Sequence, residues 1–323
     1  MSIEPITKVR EMAYPRLQAP DLDAMEAFLI DFGMVRAERT KDALYMRGFG
    51  PAHHVHITHR GEPAFLGFAF EARSREDLDR LAASDGFTPV ERIDAPGGGW
   101  RTTTRDPHGV LVEVVHGIAT VDPLGFGDPH PLNMGSKFER IGKLQRIERG
   151  PSHVKRFGHI ALNVKDVEGV FNWYHARFGL IVSDRISMAP GKPFGAFTRC
   201  DRGIEPADHH SILFASDLGS GGVPGLNHVS WEVRDIDDVH AGSEFLARKR
   251  RIHEWGIGRH LLGSQVFDYW RDPWGHIHEH WTDGDQLDAS VPAGDHSPDV
   301  ALASQWGPNP PPTFGRTIAP EAR

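Results

Sequence analysis

One short stretch, Gly258 to Glu279, carries an imidazole, a phenol and a carboxylate in fixed spacing. His260 is followed nine residues later by Tyr269, and Glu279 stands ten residues beyond the tyrosine, with Asp272-Pro273-Trp274-Gly275 between them. Proline presets φ and glycine accepts a reversed backbone, so this tetrapeptide predicts a tight turn. A strand, the turn and a second strand then bring the three groups to one neighbourhood. An imidazole beside a phenol holds or moves protons, and a carboxylate beside neutral imidazoles is a metal-ligand set.

Ligands need elements to aim them, and the chain shows these as a repeat. Residues 9–19 read as a strand. Residues 21–32 read as a helix, with Met25, Phe28, Leu29 and Phe32 on one stripe, Asp21 or Asp23 as cap and Gly33 as stop. Short strands follow at 44–47 and 53–59. A second unit opens with 65–70, a helix from Ser74 with Asp77 as its capping partner, and strands at 100–105 and 110–115 around Asp106-Pro107-His108-Gly109. The pattern restarts with a strand at 157–164, a helix at 166–178, strands at 194–199 and 209–215, a strand at 226–233 and a helix marked by Ile236, Val239 and Leu246. Asp166 and Asp235 are expected helix caps. The strongest internal match sets Arg271-Asp272-Pro273-Trp274-Gly275 with Glu279 against Arg105-Asp106-Pro107-His108-Gly109 with Glu113, at identical spacing.

Strand alternation sorts the histidines. Ile160, Leu162 and Val164 suit a helix-facing side, which puts His159 on the other face with Ala161 and Asn163. Val229, Trp231 and Val233 leave His228 opposite them, with Ser230 and Glu232. Glu279 shares its face with Ile277 and Trp281. Two histidines and one carboxylate converging on a cavity form the facial set that leaves open positions on a non-haem Fe(II) ion. Taken alone, they read as easily as ordinary polar residues at strand edges. The first half of the chain serves as an internal control. There His159 corresponds to Tyr14, His228 to about Gly67 and Tyr269 to Thr103, and only Glu113 remains. The fold therefore does not demand the ligands.

Bulk properties narrow the classes. A chain of 323 residues with 39% apolar content predicts two domains with real cores. A net charge of −8 with both signs interspersed argues against a nucleic-acid groove. No window approaches the roughly 20 apolar residues of a membrane span. Residues 1–10 lack a signal pattern, so a cytoplasmic location is expected. Cys200 is the one cysteine, which rules out disulfides within the chain and predicts a small packed residue. His53, His54, His56 and His59 are expected on a strand surface, and His276, His278 and His280 on an exposed or inter-module surface. The basic run Lys137, Arg140, Lys143, Arg146 and Arg149 reads as a solvated or domain-bridging face. The expected divisions are a scaffold domain at 1–118 without a metal site, a connection at 119–155, a catalytic domain at 156–285, and a proline-rich tail at 286–323 with little regular structure.

Gly258-Arg259-His260, Tyr269, Asp272-Pro273, Gly275 and Glu279 together resemble the signature of the type I extradiol ring-cleavage dioxygenases, in the vicinal oxygen chelate superfamily. The resemblance covers most of the chain. It implies an α+β fold of two domains, each of two βαβββ modules forming a curved, partly closed mixed sheet around a cavity, with the active site in the second. Asp268 departs from the signature, which usually has an apolar residue there. In a strand its side chain points away from that of Tyr269, so the site is expected to tolerate it.

The resemblance further implies that His159, His228 and Glu279 hold Fe(II), with Mn(II) as the alternative ion. It makes the second histidine of Asp208-His209-His210-Ser211 the acid–base residue. By alternation His210 shares a face with Ile212 and Phe214 and His209 faces away, so only one of the pair enters the cavity. His260 and Tyr269 become hydrogen-bonding partners of the substrate hydroxyl. The implied reaction opens a catechol beside its two hydroxyls with O2, giving a muconic semialdehyde-type product in aromatic catabolism. A homo-oligomer is expected. The same scaffold carries metal-dependent isomerases and lyases, and small ligand-sequestering proteins, that use no O2. The intact ligand set and the two-domain length weigh against these.

Overall fold

Side-chain caps start each long helix where the sequence places them. Asp21 accepts from the amides of Asp23 and Ala24, Ser74 and Asp77 form a reciprocal box, and Asp166 and Asp235 accept from Gly169 and Asp238. Such caps are each worth about 1 kcal/mol. The computed structural model describes residues 4–127 and 131–318. Its first half contains β1 (Glu11–Ala19), α1 (Leu22–Asp31), β2 (Val35–Arg39), β3 (Ala43–Arg47) and β4 (His56–Arg60). These are followed by β5 (Ala64–Glu71), α2 (Arg75–Ala82), β6 (Glu91–Arg92), β7 (Trp100–Arg105) and β8 (Leu111–His116).

The second half repeats the order. It has β9 (Val154–Val164), α3 (Val167–Phe178), β10 (Leu180–Ala189), β11 (Lys192–Cys200), the short β12 (Ala207–Asp208) and β13 (Ile212–Ser216). Then come β14 (Gly225–Val233), α4 (Ile236–Arg248), β15 (Ile252–His260), β16 (Val266–Arg271) and β17 (Ile277–Thr282). The tail adds β18 (Gln286–Leu287), β19 (Gly294–His296), α5 (Pro298–Ala301) and β20 (Ser304–Trp306).

The two large sheets have one topology. The first runs β2-β3-β4-β1-β5-β8-β7-β6, and the second runs β10-β11-β13-β9-β14-β17-β16-β15 between its edges β19 and β20. In each module the first strand pairs in parallel with the last, and the two first strands pair antiparallel at the centre. The chain thus has the expected α+β architecture of paired βαβββ modules. β2 and β10 were not anticipated. β2 is a charged edge strand, and β10 follows Gly179 directly with no further turn residue. The tail also differs from expectation, because β19 and β20 join the sheet instead of lying along it without regular structure.

Helices and outer sheet faces of both halves merge into one apolar core, from Phe28, Phe32 and Phe68 to Tyr174, Phe178 and Trp231. The row His276, His278 and His280 belongs to this junction and is not exposed. His278 stacks on Trp231 with ring centroids 5.2 Å apart, and His280 stacks on Phe32 at 3.7 Å while its Nε2 lies 2.6 Å from the Phe32 carbonyl oxygen. His54 and His56 are likewise buried rather than on a strand surface. His56 pairs with Thr58 at 2.8 Å. Cys200 is buried, and burial pushes its thiol up to about 12, so it stays a protonated packing group.

Candidate metal centre

Sheet register brings the three ligand residues together. His159 on β9 stands opposite Ser230 on β14, and His228 on β14 opposite Ala161 on β9. Ser230 in turn pairs with Glu279 on β17. Three adjacent strands therefore point His159, His228 and Glu279 to one spot. Nε2 of His159 lies 2.9 Å, and Nε2 of His228 3.6 Å, from Oε2 of Glu279. One donor atom from each residue can be chosen so that all lie within 4.8 Å of one another. Bonds of about 2.0–2.2 Å place neighbouring ligands of a metal roughly 3 Å apart, so the set suits a divalent ion.

Burial and electrostatics support that fit. All three residues are buried, yet Nε2 of His228 and Oε1 of Glu279 have no hydrogen-bond partner among the described residues. Such orphaned groups are costly unless something binds them. Burial alone would raise the Glu279 carboxyl, but the facing imidazoles of His159, His260 and His228 outweigh it and hold the group well below the usual range. Burial lowers His228 to about 3, so its ring is neutral with a lone pair to give. Oδ1 of Asn227 lies 2.9 Å from Nδ1 of His228 and takes that proton, leaving Nε2 as the ligand atom. The hydroxyl of Ser230 donates to Oε2 of Glu279 over 2.6 Å.

A cavity of about 270 Å³ lies above this spot, and His159, His228, His210, His260 and Tyr269 line it. Tyr269 pairs with Glu279 across β16 and β17, and its oxygen lies 2.9 Å from Nε2 of His260. Burial and the Glu279 charge push the Tyr269 phenol well above its ordinary value, so it keeps its proton. Burial lowers His260, so its ring is neutral beside the phenol oxygen. Asp268 points away from the cavity and accepts from His253 and Trp270 at 2.7 and 2.6 Å.

His210 enters the cavity, its ring centroid 4.1 Å from that of His159, while His209 turns to Asp184. The face assigned from alternation is corrected. Ile212 and Phe214 pack in the core, and it is Leu213 and Ala215 that share the cavity with His210. β13 begins only at Ile212, so His209, His210 and Ser211 do not keep its alternation. Of the other cavity groups, Asn163 lies on the face expected from alternation, while Asn227 and Phe314 escaped the sequence reading. Asn163 and Asn227 bond each other at 3.0 Å, and Asn163 donates to the carbonyl of Gly315. Phe314 of the tail meets Tyr269 edge-on with centroids 4.9 Å apart. Parity along β9 places Asn163, whereas no local pattern places Phe314.

Residues 156–279 match the model of the Glyoxalase/Bleomycin resistance protein/Dioxygenase superfamily. Over 316 residues the chain is 32% identical to Metapyrocatechase 2 of Cupriavidus necator, covering 95% of this chain and 92% of the relative. The chain belongs to the type I extradiol dioxygenases of the vicinal oxygen chelate superfamily. It is also 26% identical to an iron-dependent extradiol dioxygenase of Rhodococcus jostii, over 93% of this chain and 96% of that one. Among solved structures it resembles a Mn(II)-bound glyoxalase from Novosphingobium aromaticivorans, with 25% identity, TM-score 0.77 and coverage of 95% and 94%. Homoprotocatechuate 2,3-dioxygenase from Brevibacterium fuscum shares the fold, with TM-score 0.78 at 20% identity over 97% and 93% of the two chains. The second half of the chain carries the His–His–Glu set, and that set suits a divalent metal.

Proposed function

We propose that the chain opens the ring of a catechol beside its two hydroxyls, using O2, at Fe(II) held by His159, His228 and Glu279. The observation that carries this reading is the meeting of orphaned ligand atoms with His210, His260 and Tyr269 around one cavity. Fe(II) would supply electron relay between ring and O2 and hold the two side by side. The protein's own groups manage protons. His210, kept neutral by burial and by the facing His159 and His209, takes a proton from a catechol hydroxyl and later returns one for O–O cleavage. Tyr269 accepts from His260 and donates its own proton to the substrate oxygen, which fixes the ring. Opening then gives a muconic semialdehyde-type product.

The cavity wall also bears on the substituent. Ile186, Phe194, Leu213, Leu262 and Phe314 line it, and among the described residues no lysine, arginine or aspartate does. A carboxylated side chain would be buried without a counter-charge, at a cost of several kcal/mol. The volume falls below the roughly 300 Å³ at which pockets for larger ligands begin. A single-ring catechol with a small apolar substituent fits best.

The likeness to a Mn(II)-bound glyoxalase keeps a second reading, metal-dependent isomerisation or lysis without O2. Oxygen uptake decides between them. Protein reconstituted with Fe(II), and separately with Mn(II), is offered catechol, methylcatechols, 2,3-dihydroxybiphenyl and 3,4-dihydroxyphenylacetate. Methylcatechols are expected to exceed the carboxylated substrate at least about 100-fold in kcat/KM. No uptake with any catechol on either metal would overturn the dioxygenase reading.

A further inference from the structure

His209 and His210 are adjacent, buried, and turned to opposite sides. Nδ1 of His210 lies 3.1 Å from Nδ1 of His209. On its far edge, Nε2 of His209 lies 2.7 Å from Oδ2 of Asp184, in β10. The other oxygen of Asp184 lies 2.9 Å from Nε2 of His296, which the tail delivers through β19 alongside β10. Gly263 leaves room for this arrangement, since a Cβ there would come within 2.9 Å of Nδ1 of His209.

The hydrogen-bond inventory of these groups fixes their protons. An ionised carboxylate only accepts. Burial pushes Asp184 up, but bonds from His209 and His296 outweigh it and keep the carboxyl ionised. A His209 ring with one proton then carries it on Nε2 and offers a lone pair at Nδ1. The bond between the rings is then donated by Nδ1–H of His210. That leaves Nε2 of His210 bare, at the edge of the ring free for the cavity.

We propose that Asp184 and His209 are positioning residues that lock His210 as the Nδ1–H tautomer, with its basic Nε2 toward the substrate, and that His296 of the tail completes the dyad. The proposal rests on the reading of His210 as the acid–base group and goes one layer beyond it. When Nε2 of His210 takes the catechol proton, an O–H bond breaks and an N–H bond forms. The resulting positive charge on His210 meets the Nδ1 lone pair of His209, whose far edge is bonded to the Asp184 carboxylate. When Nε2 returns the proton, the Nδ1 proton stays in place and the pair is reset.

The test has two arms. In metal-free protein labelled with ¹⁵N in histidine, long-range ¹H–¹⁵N correlation spectra are expected to show His209 as Nε2–H and His210 as Nδ1–H. Asp184→Asn and His209→Asn should scramble the His210 tautomer. In Fe(II)-loaded protein the same variants should lower kcat at least about 10-fold, in the range of misplaced general bases, with KM and bound iron unchanged. His296→Gln should lower kcat less, since one bond to Asp184 goes and the carboxylate stays. Retention of tautomer and kcat in both Asp184→Asn and His209→Asn overturns the proposal. So does a scrambled tautomer with unchanged kcat, or a loss of kcat only in step with iron content and melting temperature. If wild-type protein opens no catechol, ring cleavage fails as a function, while the spectra still decide whether the dyad holds His210.

Discussion

Glu113 and Glu279 occupy one register position in two copies of the same module. Glu113 pairs Thr103 across β7 and β8 and Ala69 on β5, as Glu279 pairs Tyr269 and Ser230. Both carboxylates are buried, but their partners differ. Arg16 and Arg101 hold Glu113 at 2.5 and 2.9 Å, whereas Glu279 faces the imidazoles of His159 and His228. Two guanidiniums neutralise a carboxylate permanently and repel a metal ion. Two imidazoles leave the site open to one. The second ligand position is also closed in the first half, because a Cβ on Gly67 would lie 2.1 Å from the carbonyl oxygen of Leu111. One backbone thus gives a scaffold or a metal centre according to which cations, bound ion or fixed side chain, complete the carboxylate.

The contrast can be broken first at the carboxylates. Glu279→Ala should lose its metal and cut ring cleavage well beyond the roughly 100-fold cost of an outer partner, read by oxygen uptake and elemental analysis. Glu113→Ala should keep metal and kcat but lose about 3–5 kcal/mol of stability in denaturant melts, because Arg16 is left buried and unpaired. Metal loss in Glu113→Ala would erase the distinction.

The joint between the halves gives a smaller, pH-dependent effect. His153 is raised by its bond to Asp238, 2.7 Å away. Its share of stability is full below the ordinary 6.5 and fades as pH rises through the raised value. Burial pushes Asp238 up, but His153 outweighs it and depresses the carboxyl. Its share is present above the ordinary 3.8 and fades as pH falls through the depressed value. The imidazole is part-exposed, so the His153 contribution stays under about 1 kcal/mol. The melting-temperature gap between wild type and His153→Gln should narrow from pH 6 to pH 9, and a constant gap would refute the assignment. The smallest expected change sharpens the comparison. Tyr14→His restores one imidazole at the position of His159, yet metal content should stay at one ion per chain, because position 67 cannot carry the other.

The repeat, the caps and the faces of β9 and β14 were legible because each depends on neighbours in sequence. Alternation along β9 and β14 placed His159 and His228 together with no distant information. The face of His210 was misread because Ser211 precedes the first regular residue of β13, and a strand period cannot be carried across a break. The burial of His278 and His280 was hidden too. An imidazole reads as polar in sequence, and only Trp231 and Phe32, brought by packing, make it a core group. Three-residue strands such as β19 and β20 have no period to read, so the tail's place in the sheet, and His296 with it, came only from the fold.

β17 has a second consequence. On one side it holds Glu279 to the cavity, and on the other its neighbours His278 and His280 are gripped by Phe28 and Phe32 of the first half. Adjacent residues of a strand move together, so the first half works as a vice on the strand that carries the carboxylate. Damage at Phe32, far from any substrate, should then surface as loosened metal rather than as a local defect. Through this grip the first half bears on the metal centre without giving a ligand to the His159, His228 and Glu279 set.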